Sequence, residues 1–283
     1  METSCSRCGL IVKKIAIIGS TSHVAKNLIE YFNKEHQHID LYSRSLNNLD
    51  ILPNGYDCII NCILAKVTEP LYFETSEHFD NLILDYLQLN TDCLYINCSS
   101  GVVHEIRKCD VDNLREEHYA MVSKLNSEMK HAAHKNLNVI DLRFYSFFSR
   151  FTNLEAPYFM NEIIKSVINK ETFITTKKNF SRDYINPLDL YNIIKYLIAV
   201  QKIRGHFEIG STQPTSKDAI INYFIKDYNL KIKYVDKIDF KGYTASKINY
   251  FPKERTLPSL VKYSSLDTIK EESRVILAKF MEK

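Results

Sequence analysis

The stretch Lys13–Phe32, KKIAIIGSTSHVAKNLIEYF, carries the reading on which the fold depends. "KIAIIG" is an apolar run of strand length that ends in glycine. The residues after it place Val24, Leu28, Ile29 and Phe32 at the spacing of one helix face. A strand, a tight turn and a helix in this order open a dinucleotide-binding fold, in which backbone N–H groups and the positive end of the helix dipole hold a pyrophosphate. Such turns normally carry glycines where a side chain would strike the phosphate or the packed strand. Here Gly19 remains, while Ser22 and Ala25 stand at the second and third glycine positions. Both replacements are small: a serine hydroxyl can donate to a phosphate, and an alanine methyl still permits close helix packing. On this loop alone, a cofactor site and a strand-turn-helix that binds nothing are equal readings.

The second strand, "HIDLYS", ends in Ser43, Arg44 and Ser45. An acidic residue at that point would accept from an adenosine ribose, whereas an arginine suits a 2′-phosphate, so NADP is favoured over NAD. A solvated surface Arg44 is the alternative. Between Arg44 and Tyr56 there is room only for a short strand around "LDIL", where Asp50 reads as a turn residue. "YDCIINCI" and "CLYINCSS" are nearly continuous apolar runs, as required of central strands buried on both faces of a parallel sheet. A long helix is expected from about His118 to Lys135, followed by the strand "NVIDLRF". Ser149 to Thr176 reads as helical, and the C-terminal third as helix mixed with short strands. Asp189, two residues after Pro187 and ahead of an apolar-periodic run, reads as a helix N-cap. The alternation of apolar runs with helical period predicts an α/β fold with a doubly wound, mainly parallel sheet.

Composition narrows the function classes. The chain has 283 residues, 45% hydrophobic and 25% charged, which is ordinary for a globular protein that folds without metal or disulfide. A net charge of +3 with scattered lysines gives no reason to expect a nucleic-acid partner. No apolar run approaches the roughly 20 residues that span a bilayer, so no membrane partner is expected. The start, METSCSRCGLIVKK, lacks the apolar core of a signal peptide, so a cytoplasmic location is expected. Cys58, Cys62, Cys93 and Cys98 lie in strand-like stretches and read as reduced buried thiols. Cys5 and Cys8 form a CxxC with no second pair at zinc spacing; no metal is assigned, and residues 1–12 are expected to be a disordered leader.

Five further stretches follow in order: "YDCIINC", "CSSGVV", "SKLNSEM", "VIDLRFYSFFS" and "RDYINPLDLYNIIKYLI", with "FEIGSTQPTS" after them. Together they resemble the extended short-chain dehydrogenase/reductases, the NAD(P)-dependent epimerase/dehydratase group that acts on nucleotide sugars. The resemblance covers nearly the whole chain after Ile11. It implies a Rossmann-type dinucleotide-binding domain over residues 13–148, with 181–212 packing back on it, and a smaller substrate-binding portion from 149–180 and 213–283. It implies cofactor contacts from Gly19, Thr21, Ser22, His23 and Val24, from Ser43 and Arg44, from Cys62 and Leu64, and from Lys124. "CSSGVV" is similar to the strand end that supplies the catalytic serine, here Ser100, and "SKLNSEM" to the helix that supplies the lysine, here Lys124. Arg182 is implied as a ligand of a substrate phosphate, although pairing with Asp183 is an equal reading of the residues. The implied activity is an NADP-dependent reductase or epimerase working on a keto group of a nucleotide-activated sugar, as a homodimer. The alternative is a non-catalytic binding protein on the same fold.

One register departs from that pattern. In the family a tyrosine precedes the lysine by four residues, which puts both side chains on one helix face; the lysine then lowers the phenol pKa for proton transfer. Position 120 is alanine here, and the nearest tyrosine is Tyr119. One residue of displacement is a rotation of about 100° on a regular α-helix. Tyr119 therefore serves as the acid only if the helix near Val122 is distorted, or if Tyr119 lies in a loose first turn. Loss of the proton-transfer group is the other reading, and His118, His104 and Glu117 are the nearby substitutes.

Overall fold

The computed structural model describes residues 13–43, 52–63, 70–106, 118–200, 203–237 and 247–281. Its centre is a six-stranded sheet whose strands are β1 (Ile15–Ile18), β2 (Ile39–Tyr42), β3 (Cys58–Asn61), β4 (Leu94–Ser100), β5 (Val139–Phe144) and β8 (Gly205–Glu208). They lie in the order β2-β1-β3-β4-β5-β8, and every pairing is parallel. Ile15 stands beside Ile39 on one side and Cys58 on the other, so the strand order reverses at β1. That reversal opens a crevice at the carboxyl ends of β1 and β3, where folds of this kind take their ligands.

Alternation along β1 explains the two layers of helices. Ile15 and Ile17 face a core with Val24, Leu28 and Phe32 of α1 (His23–Lys34) and Ile194 and Leu197 of α6 (Pro187–Val200). Ala16 and Ile18 face the opposite core with Ile83 and Leu87 of α2 (Pro70–Leu89). Alongside α2 lies α4 (Tyr119–Ala133); the short α3 (Val103–Ile106) follows β4. None of the helices among the described residues is long and apolar enough to cross a membrane.

A third core joins α5 (Phe159–Asn169), α7 (Lys217–Tyr228) and α8 (Ser265–Met281) through Ile163, Ile164, Phe224 and Ile276. The helical expectation for Ser149 to Thr176 is corrected here. Thr172–Thr176 form β6, paired in parallel with β10 (Lys231–Val235). Its "TFITT" buries Phe173 and Thr175 and exposes Thr172 and Ile174, the period of a strand. A small sheet has the order β11 (Asn249–Tyr250), β7 (Ser181–Arg182) and β9 (Thr215–Ser216). The expected strand around "LDIL" falls mostly outside the described residues, as do Arg44, Asp50, Leu64, Glu117 and the leader.

Asp189 does not cap α6. The cap interaction belongs to Asn186, whose Oδ1 accepts from Leu188 N at 2.8 Å. Asp189 lies within the first turn, fully buried, and its Oδ2 accepts from Lys262 N and Tyr263 N, both at 3.0 Å. It fastens the C-terminal segment to the helix.

A buried polar chain ties α2 and α4 to the sheet. His131 on α4 bonds through Nδ1 to Asp141 on β5 (2.8 Å) and through Nε2 to Asp80 on α2 (2.9 Å). Burial works against the charged imidazole, but the two carboxylates outweigh it and raise its pKa to about 9. Asp80 is likewise held down to about 2, its hydrogen bond to His131 overcoming burial. A raised imidazole pKa stabilises the fold fully below the unfolded value of about 6.5, and that contribution is lost as pH rises through about 9. The lowered carboxyl contributes above about 3.8 and is lost as pH falls toward about 2. Tm is therefore expected to fall between neutral pH and about pH 9. In His131→Gln, which carries no charge to lose, that alkaline decline should flatten; an identical decline in the variant would contradict the assignment.

Candidate active site

The turn after β1 shows why Gly19 is the glycine that was kept. Its φ is +79°, and a Cβ there would lie 2.8 Å from Cys62 C and Ile63 N, so the turn is pressed against the end of β3. Gly19 N and Ser20 N both donate to Tyr42 O, at 2.9 and 3.1 Å, which ties the turn to β2. Ser22 is the N-cap of α1, its Oγ accepting from Ala25 N at 3.2 Å. A hydroxyl that accepts in this way keeps its hydrogen, so Ser22 caps the helix and still has a donor to offer. Ala25 and Val24 are fully buried, with Ala25 allowing the close packing that the third glycine would give. Thr21 is exposed at the turn. His23, the first residue of α1, has its ring 5.3 Å from that of Phe147, and burial followed by the charge of Lys26 lowers its pKa to about 4. It is neutral at physiological pH. Cys62 is buried behind Gly19, and Ser43 is buried at the end of β2.

Lys124 sits on the buried face of α4, its Nζ donating to Cys98 O at 2.7 Å and to Ile63 O at 3.3 Å. The ammonium is thus fixed at the carboxyl ends of the central strands. Ser100 is the last residue of β4, and its Oγ receives Val102 N at 3.4 Å. Both line a cavity of about 350 Å³ between the sheet and the third core, together with His23, Tyr145, Asn161, Arg182 and Tyr184. The charged side chains in its lining are cationic; the remainder is largely aromatic, including Phe144, Phe147, Phe148, Phe159 and Phe180.

Arg182 reaches the cavity from β7 with its guanidinium 4.3 Å from the Phe180 ring centroid and hydrogen bonds to Ser181 O and Lys247 O. The Arg182–Asp183 pairing read from the sequence is replaced by another: Asp183 is buried against Arg255 (2.9 Å) and Ser211 N (2.7 Å). Tyr119 is the first residue of α4, and the helix runs on as regular α-helix through Val122 to Ala133. The distortion near Val122 is therefore not found; Tyr119 does lie in the first turn of the helix, but it is not part of the cavity lining.

Sequence reasoning missed the ion cluster beneath the site. Arg143 of β5 is 1% exposed; its Nε donates to Glu128 Oε1 (2.9 Å) and its Nη1 to Glu208 Oε1 (2.9 Å). Ser99 Oγ also donates to Glu128 Oε1, and His104 and Tyr145 bond to Glu208. The signal was present in "VIDLRF", where an arginine interrupts a strand that is otherwise buried on both faces, and in Glu128, one turn beyond Lys124.

No family model and no curated protein matches the sequence. Solved structures do share the fold. The chain is similar to a UDP-N-acetylglucosamine 4-epimerase from Methanobrevibacter ruminantium M1 in complex with UDP-N-acetylmuramic acid, at 15% identity, TM-score 0.74, and coverage of 95% of this chain and 98% of that one. A UDP-glucuronic acid 4-epimerase from Bacillus cereus, in complex with UDP-glucuronic acid and NAD, gives 16% identity, TM-score 0.72 and coverage of 94% and 99%. A GDP-6-OMe-4-keto-L-xylo-heptose reductase from C. jejuni gives 12%, 0.71, and 95% and 98%. The expected α/β fold is the one found: a Rossmann-type parallel sheet flanked by helices, shared with these solved structures over nearly the full chain.

Proposed function

We propose that the protein belongs to the extended short-chain dehydrogenases/reductases and is an NADP-dependent reductase or epimerase acting on a keto group of a nucleotide-activated sugar. The observation that carries this reading is the convergence of Ser100 and Lys124 on one cavity at the carboxyl ends of the sheet, within reach of the Gly19 turn. The residues present fit a nicotinamide dinucleotide. Gly19 leaves the turn free of a side chain, Ser22 and the N-terminus of α1 offer donors for a pyrophosphate, and Lys124 is placed for a ribose hydroxyl. Ser43 and Arg44 favour the 2′-phosphate of NADP. When bound, the cofactor supplies or accepts a hydride. The chain's own residues bind and orient: Ser100 donates to the substrate carbonyl oxygen and polarises it, and Arg182, stacked on Phe180, holds substrate phosphate. Structures of the same fold in complex with UDP-N-acetylmuramic acid and with UDP-glucuronic acid support this substrate class. A cytoplasmic homodimer built on α2 and α4 is proposed with it.

Thermal shift tests the cofactor half of this reading. A ligand at 100 times its Kd stabilises a fold by roughly 2.7 kcal/mol, so NADPH should raise Tm and do so more than NADH at equal concentration. Arg44→Ala should remove most of that difference. Equal shifts would overturn the preference for NADP, and no shift with either dinucleotide would overturn the function.

A further inference from the structure

Position 120 denies the site the phenol expected on α4, yet Ser100 does have a phenol beside it. Tyr250, 150 residues further along the chain, places its Oη 3.2 Å from Ser100 Oγ. The ring is firmly held. Tyr250 pairs with Arg182 across β11 and β7, is 5% exposed, and meets the ring of Tyr145 in a T-shaped contact at 4.9 Å. Tyr145 in turn occupies the space over Gly101, where a Cβ would lie 2.4 Å from its ring, and donates its hydroxyl to Glu208 at 2.8 Å. Any side chain on Gly101 would push this pair of rings away from Ser100.

A serine hydroxyl has one hydrogen to give and two positions at which to accept. Val102 N approaches Ser100 Oγ at 3.4 Å, and the Tyr250 hydroxyl lies 3.2 Å away; either hydroxyl can be the donor, and a phenol that donates fills the second position. The serine's only hydrogen is then left for a group inside the cavity, which Tyr250 itself does not line. Burial raises the Tyr250 pKa and keeps the phenol protonated, so it has a hydrogen to give to Ser100; Ser100 and Arg182 oppose this but do not reverse it.

We propose that Tyr250 is the positioning residue for Ser100: from the C-terminal segment it donates to Ser100 Oγ and turns the serine hydroxyl toward the substrate oxygen. The proposal rests on Ser100 polarising a substrate carbonyl. It adds a residue that acts through Ser100 and meets neither substrate nor cofactor directly.

Steady-state turnover of NADPH with 4-keto-6-deoxy sugars carried on UDP, dTDP and GDP, alongside calorimetric NADPH binding, tests it in wild type, Ser100→Ala, Tyr250→Phe and the double variant. Tyr250→Phe keeps the ring on Tyr145 and should lower kcat about tenfold, the kinetic equivalent of one hydrogen bond, with KM and NADPH affinity held within about twofold. The double variant should turn over at the rate of Ser100→Ala alone, because the phenol has no other route to the reaction. An unchanged kcat in Tyr250→Phe, or a further tenfold loss in the Ser100→Ala background, would overturn the proposal while leaving the functional reading intact. A wild type that turns over none of these sugars would overturn both.

Discussion

Replacing Arg143 by methionine is expected to cost about 3–5 kcal/mol of folding stability and to lower Tm by roughly 10 °C. The guanidinium is 1% exposed and divides its donors between Glu128 on α4 and Glu208 on β8. Methionine fills much of the volume but leaves two carboxylates without their counter-charge, one of them nearly fully buried. Removing one member of such a cluster is far more damaging than removing all of it. The triple change Arg143→Met, Glu128→Gln, Glu208→Gln should therefore recover a large part of the loss. Because Glu128 lies one helical turn from Lys124, the single variant should also weaken NADPH binding. Thermal unfolding and calorimetry on the two variants check both statements; a single variant within about 1 kcal/mol of wild type would show that the cluster is not needed for the fold.

The largest kinetic effect is expected at Ser100. Loss of one donor to a developing oxyanion typically costs about 100- to 1,000-fold in kcat, so Ser100→Ala should reduce turnover by that order. Among the described residues its Oγ bonds only with Tyr250 and Val102, and neither contact holds two strands of the main sheet together. Tm and NADPH affinity should thus stay close to wild type. A kcat within threefold of wild type would remove Ser100 from the chemistry.

Much of the framework was legible because local pattern and tertiary role coincide. β3 is buried at every residue, and its "CIIN" has no polar face to mislead. On α1, Val24, Leu28 and Phe32 recur at helical spacing and all face one core. Ser100, at the end of β4, and Lys124, within α4, are singled out by the resemblance of "CSSGVV" and "SKLNSEM" and not by periodicity. What escaped is non-local. Asp189 has the residue type of a cap, but its carboxylate is used by backbone N–H groups more than 70 residues away. Tyr250 meets Ser100 through a two-residue strand with no periodicity to read. β6 was hidden by its shortness and by its position directly after a helix. Asp141 and Arg143 in a buried strand were the visible anomalies, and the partners of both lie on other elements.

The most direct measurement follows the hydride itself. Wild-type protein is incubated with NADPH deuterated at the transferable C4 position and with 4-keto-6-deoxy sugar nucleotides, and the sugar is analysed by mass spectrometry. A reductase, and equally an epimerase whose reduced cofactor meets a keto sugar, places one deuterium on the former carbonyl carbon; the account predicts that label, and predicts that Ser100→Ala loses nearly all of it in the same time. Binding of NADPH with no deuterium in any of the sugars would contradict the account and leave a dinucleotide-binding protein on a reductase scaffold.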